Sequence, residues 1–136
     1  MKAIDPYLVS ACLLGLRTRY DGASKASSWL LSRKGALLIP VCPEQLGGLP
    51  TPRAPAEIIG GDGLAVLEGR AQVINQLGED VTQAFVRGAE EVLRLARLYQ
   101  VKGVWLKARS PSCGLNPFGV CAALLYLEGF ELYEID

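Results

Sequence analysis

Cys12, Cys42 and Cys113 are the residues of this chain best suited to chemistry, because its 136 residues hold four cysteines and no histidine. Without histidine the commonest general base and the commonest metal ligand are both missing. Catalysis must then run on carboxylates, hydroxyls, thiols, lysine or a bound cofactor. Three soft thiolates favour an iron–sulfur cluster or zinc over magnesium or calcium. A structural zinc site usually presents close cysteine pairs, and none of these cysteines forms one. A cluster accepts ligands from separate loops, and three cysteines leave one iron open. The blander alternative is that the thiols are small core residues, and spacing alone leaves all three readings open. Cys121 fits the core best, since it shares a helical face with Phe118, Ala122 and Leu125.

The elements around these residues explain how they meet. Tyr7 to Ser10 reads as a buried strand ending just before Cys12, and Ala36 to Val41 as a second ending at Cys42. Pro40 removes a ladder donor and pushes the second strand to an end or an edge. Val104 to Leu106 is a third apolar run, followed by a loop that carries Cys113. Loops after parallel strands gather at one edge of an open sheet, where ligands bind.

Between these runs, Ser27 can cap a short helix to Lys34, ended by Gly35. Cys42 to Pro55 is dense in proline and glycine and reads as an ordered loop. Glu57–Ile59 and Leu64–Leu67 flank Gly60-Gly61-Asp62-Gly63, which predicts a small hairpin. Val81, Ala84, Phe85, Gly88, Val92, Leu95, Ala96 and Tyr99 recur at helical steps, with Asp80 as their cap. Asn116 and Pro117 predict the start of a last helix running to Glu128, and Phe130 to Ile135 a final strand. Strands alternating with helices predict an α/β fold: a single Rossmann-like domain over residues 1–136, with a small, mainly parallel sheet flanked by helices.

Composition restricts the partners. Fourteen basic and fourteen acidic residues cancel, so there is no bulk field to draw nucleic acid or an anionic membrane. Val9-Ser10-Ala11-Cys12 has the look of a lipoprotein cleavage box. Asp5 and Pro6, however, leave no apolar region of about 7–15 residues before the cysteine. The expected location is therefore the cytoplasm, where cysteines more often bind metal or do chemistry than pair.

A longer succession of motifs carries more weight. It runs from Ser10-Ala11-Cys12-Leu13-Leu14-Gly15 through Arg19-Tyr20-Asp21-Gly22 to Val41-Cys42-Pro43-Glu44, with Gly47-Gly48 and Pro52-Arg53. Asp80-Val81-Thr82, Phe85 and Gly88-Ala89 follow, then Ser110-Pro111-Ser112-Cys113-Gly114 and Gly119-Val120 with Ala122 to Leu125. Across nearly its whole length the chain resembles the TudS family of thiouracil desulfidases, long catalogued only as a domain of unknown function.

The resemblance implies a [4Fe-4S] cluster held by Cys12, Cys42 and Cys113, with one iron not ligated by protein. It implies Glu44 and Ser110 as catalytic residues. The reaction it implies is hydrolysis of the carbon–sulfur bond of a thiolated pyrimidine such as 2-thiouracil, giving uracil and sulfide without net redox. Its partner would be a small thiolated nucleobase. Arg19, Tyr20 and Asp21 are candidates for the substrate pocket, or form an ion-paired surface loop. Glu44 has a plainer alternative in pairing with Arg53, and Ser110 in turning the chain before Pro111. Many relatives carry a longer glycine-rich loop after Cys113, where only Leu115 to Phe118 precede Gly119. On the binding edge, such a shortening would alter which base fits. The rival functional class is a cluster- or zinc-carrying binding or redox-sensing module without turnover. A nucleotide-binding fold with incidental core cysteines ranks behind both, since no G-x-G-x-x-G and no P-loop is present.

Overall fold

The computed structural model describes residues 4–136. Four strands form one wholly parallel sheet: β1 (Asp5–Ser10), β2 (Ala36–Val41), β5 (Gly103–Lys107) and β6 (Leu132–Ile135), in the order β2-β1-β5-β6. β2 lies at an edge, where the missing N–H of Pro40 costs least. β1 is central, and its Leu8 and Val9 point to opposite faces yet are both fully buried, as expected for a parallel strand covered on both sides.

One face carries the main core. Leu8, Val104 and Leu106 meet Phe85, Ala89, Val92 and Ala96 of α4 (Thr82–Leu98) and Val120, Cys121, Ala122 and Leu125 of α5 (Val120–Leu127). The other face is thinner. Val9, Leu13 and Leu30 pack there, and Trp29 of α1 (Ser28–Leu31) meets Trp105 edge-on at 5.0 Å. Trp105 in turn stacks on Tyr133 at 4.6 Å.

Four expected elements differ from the structure, each for a local physical reason. Ser27 does cap α1, accepting from the Leu30 N–H, but the helix stops after one turn, where the Ser32 hydroxyl donates to the Trp29 carbonyl. The Cys42–Pro55 segment contains a helical turn, α2 (Pro43–Leu46), with proline in its first position. The hairpin exists but pairs β3 (Ala56–Ile59) with β4 (Gln72–Asn75). Leu64–Leu67 instead lies in α3 (Gly63–Leu67), because the Asp62 carboxylate accepts the Ala65 N–H and caps a helix. The cap of α4 is Val81 and not Asp80 as expected; Asp80 stands one residue earlier and accepts the Thr82 N–H.

The last helix begins at Val120, not Pro117. Its first N–H groups are satisfied by the preceding loop: Val120 donates to the Pro111 carbonyl and Ala122 to the Ser112 carbonyl. Gly119 makes this approach possible. A Cβ there would lie 2.8 Å from the Cys113 nitrogen and overlap the Ser112 backbone. The start of α5 is thus pressed against the loop that carries Cys113.

A second backbone contact fixes α2. A Cβ on Gly88 of α4 would overlap the Pro43 carbonyl, and one on Gly47 would overlap the Ala84 carbonyl. We expect Gly88→Ala to destabilise the protein by about 1–3 kcal/mol, since backbone must move to admit the methyl group. That loss should outweigh the gain of about 1 kcal/mol in helix propensity. Urea unfolding would measure it, and a variant as stable as the parent would show that the two helices separate freely.

Candidate active site

The three cysteines stand just beyond the carboxyl ends of three adjacent strands. Cys12 lies in a 3-10 turn (Ala11–Leu14) directly after β1, closed by Gly15 at φ +92°. Cys42 is the capping residue between β2 and α2. Cys113 sits in the loop after β5, its N–H donating to the Ser110 hydroxyl oxygen at 3.1 Å. Chain order reverses about β1, whose neighbours are β2 and β5. This is the crevice where open α/β sheets bind ligands.

All three thiols line one cavity of about 340 Å³, within the range of small-molecule sites. Glu44, Ser110, Arg19 and Tyr20 line it as well. Asp21 does not: its side chain is 44% exposed, lies 3.7 Å from Arg19 and accepts the Ala23 N–H. It shapes the turn beside the site and does not enter it. The shortened loop is also absent from the lining, which ends at Cys113. Leu115 instead donates its N–H to Glu134.

Glu44 is held at both oxygens. Arg53 Nε donates to Oε1 at 2.9 Å, and Ser112 Oγ donates to Oε2 at 2.8 Å. Arg53 is nearly buried and also donates to the carbonyls of Thr18 and Pro50 and to Thr51 Oγ1. The Glu44–Arg53 pairing anticipated as a purely structural role is present, but it lies in the cavity wall. Ser110 likewise forms a turn, accepting from the N–H groups of Ser112 and Cys113.

Sequence reasoning did not single out Ser112, Lys107 or Ser10. Lys107 is nearly buried at the end of β5 and lines the cavity. Ser10 Oγ accepts the Lys107 N–H at 3.0 Å and joins the ends of β1 and β5. Ser112 stood in view as the second serine of its motif, but its partner lies 68 residues away.

Charge favours thiolates here. Arg19, Lys25, Arg53, Lys107 and Arg109 line the cavity, against Glu44 as its one carboxylate. Burial pushes the Cys113 thiol up to about 12, while a hydrogen bond with Ser10 pulls it down. Burial also raises Cys12, and the positive charges of Arg19 and Lys107 oppose that. Burial lowers the Lys107 ammonium, with Asp136 at 3.8 Å pulling it back. Buried neutral thiols are poor nucleophiles, whereas a coordinating metal deprotonates them outright. This donor set suits a soft metal group. Among the described residues, no three histidine, cysteine, aspartate or glutamate side chains gather as a single ion requires. Three thiols on the wall of one cavity are the donor chemistry that a sulfur-ligated cluster would use.

Comparison with known proteins shows the family. A family model described as 2-thiouracil desulfurase matches residues 7–133. The chain belongs to the 2-thiouracil desulfurase family. One relative is YbbK of Bacillus subtilis (strain 168), described as uncharacterized. The two are 42% identical over 141 residues, covering 92% of each. A solved structure named as the [4Fe-4S]-dependent thiouracil desulfidase TudS (DUF523Vcz) superposes with a TM-score of 0.79 at 39% identity. The match covers 96% of this chain and 90% of that one. The fold is thus the mainly parallel, helix-flanked sheet expected from sequence. Among its described residues no helix is long and apolar enough to cross a membrane.

Proposed function

We propose that the protein is a cytoplasmic [4Fe-4S]-dependent desulfidase that removes sulfur from a thiolated pyrimidine such as 2-thiouracil, releasing uracil and sulfide without net redox. The observation that carries this reading is the convergence of three thiols and the clamped Glu44 carboxylate on one cation-lined cavity. Cys12, Cys42 and Cys113 would hold the cluster. When bound, it supplies a Lewis-acidic iron, free of protein ligands, for the soft sulfur of the substrate.

The remaining roles fall to the chain's own residues. Glu44 takes a proton from the water that attacks the thiocarbonyl carbon. Arg53 and Ser112 fix its orientation, so the carboxylate loses little freedom on reaching the reactive geometry. Ser110 already accepts two N–H groups, so its own proton is what it offers the cavity, as a donor to charge developing on the substrate. Arg19 and Tyr20 face the substrate from the loop after the first cysteine.

Anaerobic reconstitution followed by iron and acid-labile sulfide analysis, with a 2-thiouracil turnover assay on the same sample, tests the proposal. About four of each per chain, with uracil and sulfide released, is the expected result. A cluster without turnover would remove the substrate assignment, and no cluster would remove the whole reading.

A further inference from the structure

We infer that Arg53 is a positioning residue for the cluster as well as for Glu44, serving the Cys42 sulfur and the carboxylate from one guanidinium. The inference rests on Cys12, Cys42 and Cys113 being the cluster ligands. A guanidinium carries five N–H groups in a fixed plane and accepts nothing. Each of the five has a partner here. Nε donates to Glu44 Oε1 at 2.9 Å, and Nη1 donates to the Pro50 carbonyl at 3.2 Å and to Thr51 Oγ1 at 2.8 Å. Nη2 donates to the Thr18 carbonyl at 2.9 Å and meets Cys42 Sγ at 4.0 Å. The Arg53 side chain is only 7% exposed, so bulk water does not compete for these places.

The contact with sulfur is the longest of the five, and the protonation of Cys42 accounts for that. As a neutral thiol, Cys42 directs its own proton to the Thr18 carbonyl at 3.8 Å. A metal-bound cysteine has lost that proton. Its sulfur then only accepts, and it carries negative charge. The second N–H of Arg53 Nη2 is the donor already held against it, and a charge-assisted bond is roughly twice as strong as a neutral one.

The backbone brings the guanidinium to this place. The Arg53 N–H donates to the Tyr20 carbonyl at 2.8 Å, so the segment after Cys42 is tied to the segment after Cys12. Two consequences follow from one planar group touching both a ligand sulfur and the base. The carboxylate keeps a fixed place relative to the metal centre, which is the positioning that attack on a bound thiocarbonyl needs. The cluster also gains a buried positive charge at one ligand, and charge and hydrogen bonds at the sulfurs set its reduction potential. A cation favours the reduced, more negative form, so removing it should make the cluster harder to reduce.

The test is a reductive titration of anaerobically reconstituted protein, followed by visible absorbance, with iron per chain and kcat read on the same samples. The variants are Arg53→Met, Arg53→Lys, Glu44→Gln and the pair Arg53→Met with Glu44→Gln. The pair removes both charges together and so avoids leaving an unpaired carboxylate if Arg53→Met alone fails to fold. We expect Arg53→Met to keep its cluster while the ratio of reduced to oxidised cluster at a fixed potential falls about tenfold, which is about 59 mV for one electron. The pair should fall by a similar factor below Glu44→Gln. Arg53→Lys returns a positive charge and should bring the ratio to within about twofold of the parent. Its kcat should stay about 10- to 10²-fold low, because an ammonium does not reproduce the planar fork that aims Glu44. Arg109→Met is the control, since Arg109 lines the same cavity with its side chain 73% exposed and water screens its charge. It should move the ratio less than twofold. A potential unmoved in both methionine variants would overturn the inference, and so would an equal shift from Arg109→Met. Loss of iron in both methionine variants, where Glu44→Gln keeps it, would make Arg53 a support of the loops and overturn it equally. A parent protein that takes up no cluster would instead remove the ligand assignment beneath it, and the inference with it.

Discussion

Cys113→Ala is expected to give a folded protein that retains no iron–sulfur cluster and turns over no thiouracil. Cys113 is 4% exposed and belongs to the main core with Val120, Ala122 and Leu125. Alanine there removes one sulfur and leaves a small void, a stability loss of about 0.5–3 kcal/mol typical of single substitutions. The loss of function should be far larger, because two cysteines on separate loops do not replace three. Cys121→Ala is the matched control. Cys121 is fully buried in the same core and has no place on the cavity wall, so this variant should lose stability but keep its iron and its kcat. Iron content, visible absorbance and melting temperature of the two variants would separate the roles. Full iron loading of Cys113→Ala would sink the ligand assignment.

Glu44→Gln should keep the cluster yet lower kcat by about 10²- to 10⁴-fold, the usual cost of removing a positioned general base. The amide matches the carboxylate in shape but does not take a proton from water. The substitution also leaves the nearly buried Arg53 without its counter-charge at 2.9 Å. Breaking a buried pair from one side typically costs about 3–5 kcal/mol, so a fall in melting temperature should accompany the loss of rate. Arg53 keeps its bonds to the Thr18 and Pro50 carbonyls and to Thr51, which should hold the loop in place. Iron content then distinguishes a missing base from a collapsed site. An unchanged kcat with a full cluster would place the base elsewhere in the cavity.

Much of this architecture was legible locally. Apolar runs before Cys12, Cys42 and Cys113 marked three strands, although β2, at the sheet edge, is only partly buried, with Leu37 exposed; the three- and four-residue steps from Val81 to Tyr99 marked α4. Such patterns are visible because strand and helix periods repeat along the chain whatever it later packs against. The absence of histidine turned attention to the thiols, and the rule for parallel sheets brought their loops to one edge. Pro40 pointed to an edge position through the donor it lacks, and β2 occupies one.

Tertiary structure decided where elements stop and which side chains meet. α5 begins at Val120 because Gly119 lets backbone press on backbone and because loop carbonyls cap its first turn, conditions that Asn116 and Pro117 do not reveal. Leu64–Leu67 became a helix, with Gly63 pressed against the Gly119 backbone, and β3 found its partner beyond it. The clamp on Glu44 joins Arg53 from one loop and Ser112 from another. Asp21, adjacent to two lining residues, turned to solvent. Local periodicity encodes the faces of each element, whereas close backbone approach and hydrogen bonds between distant loops exist only once those faces have packed.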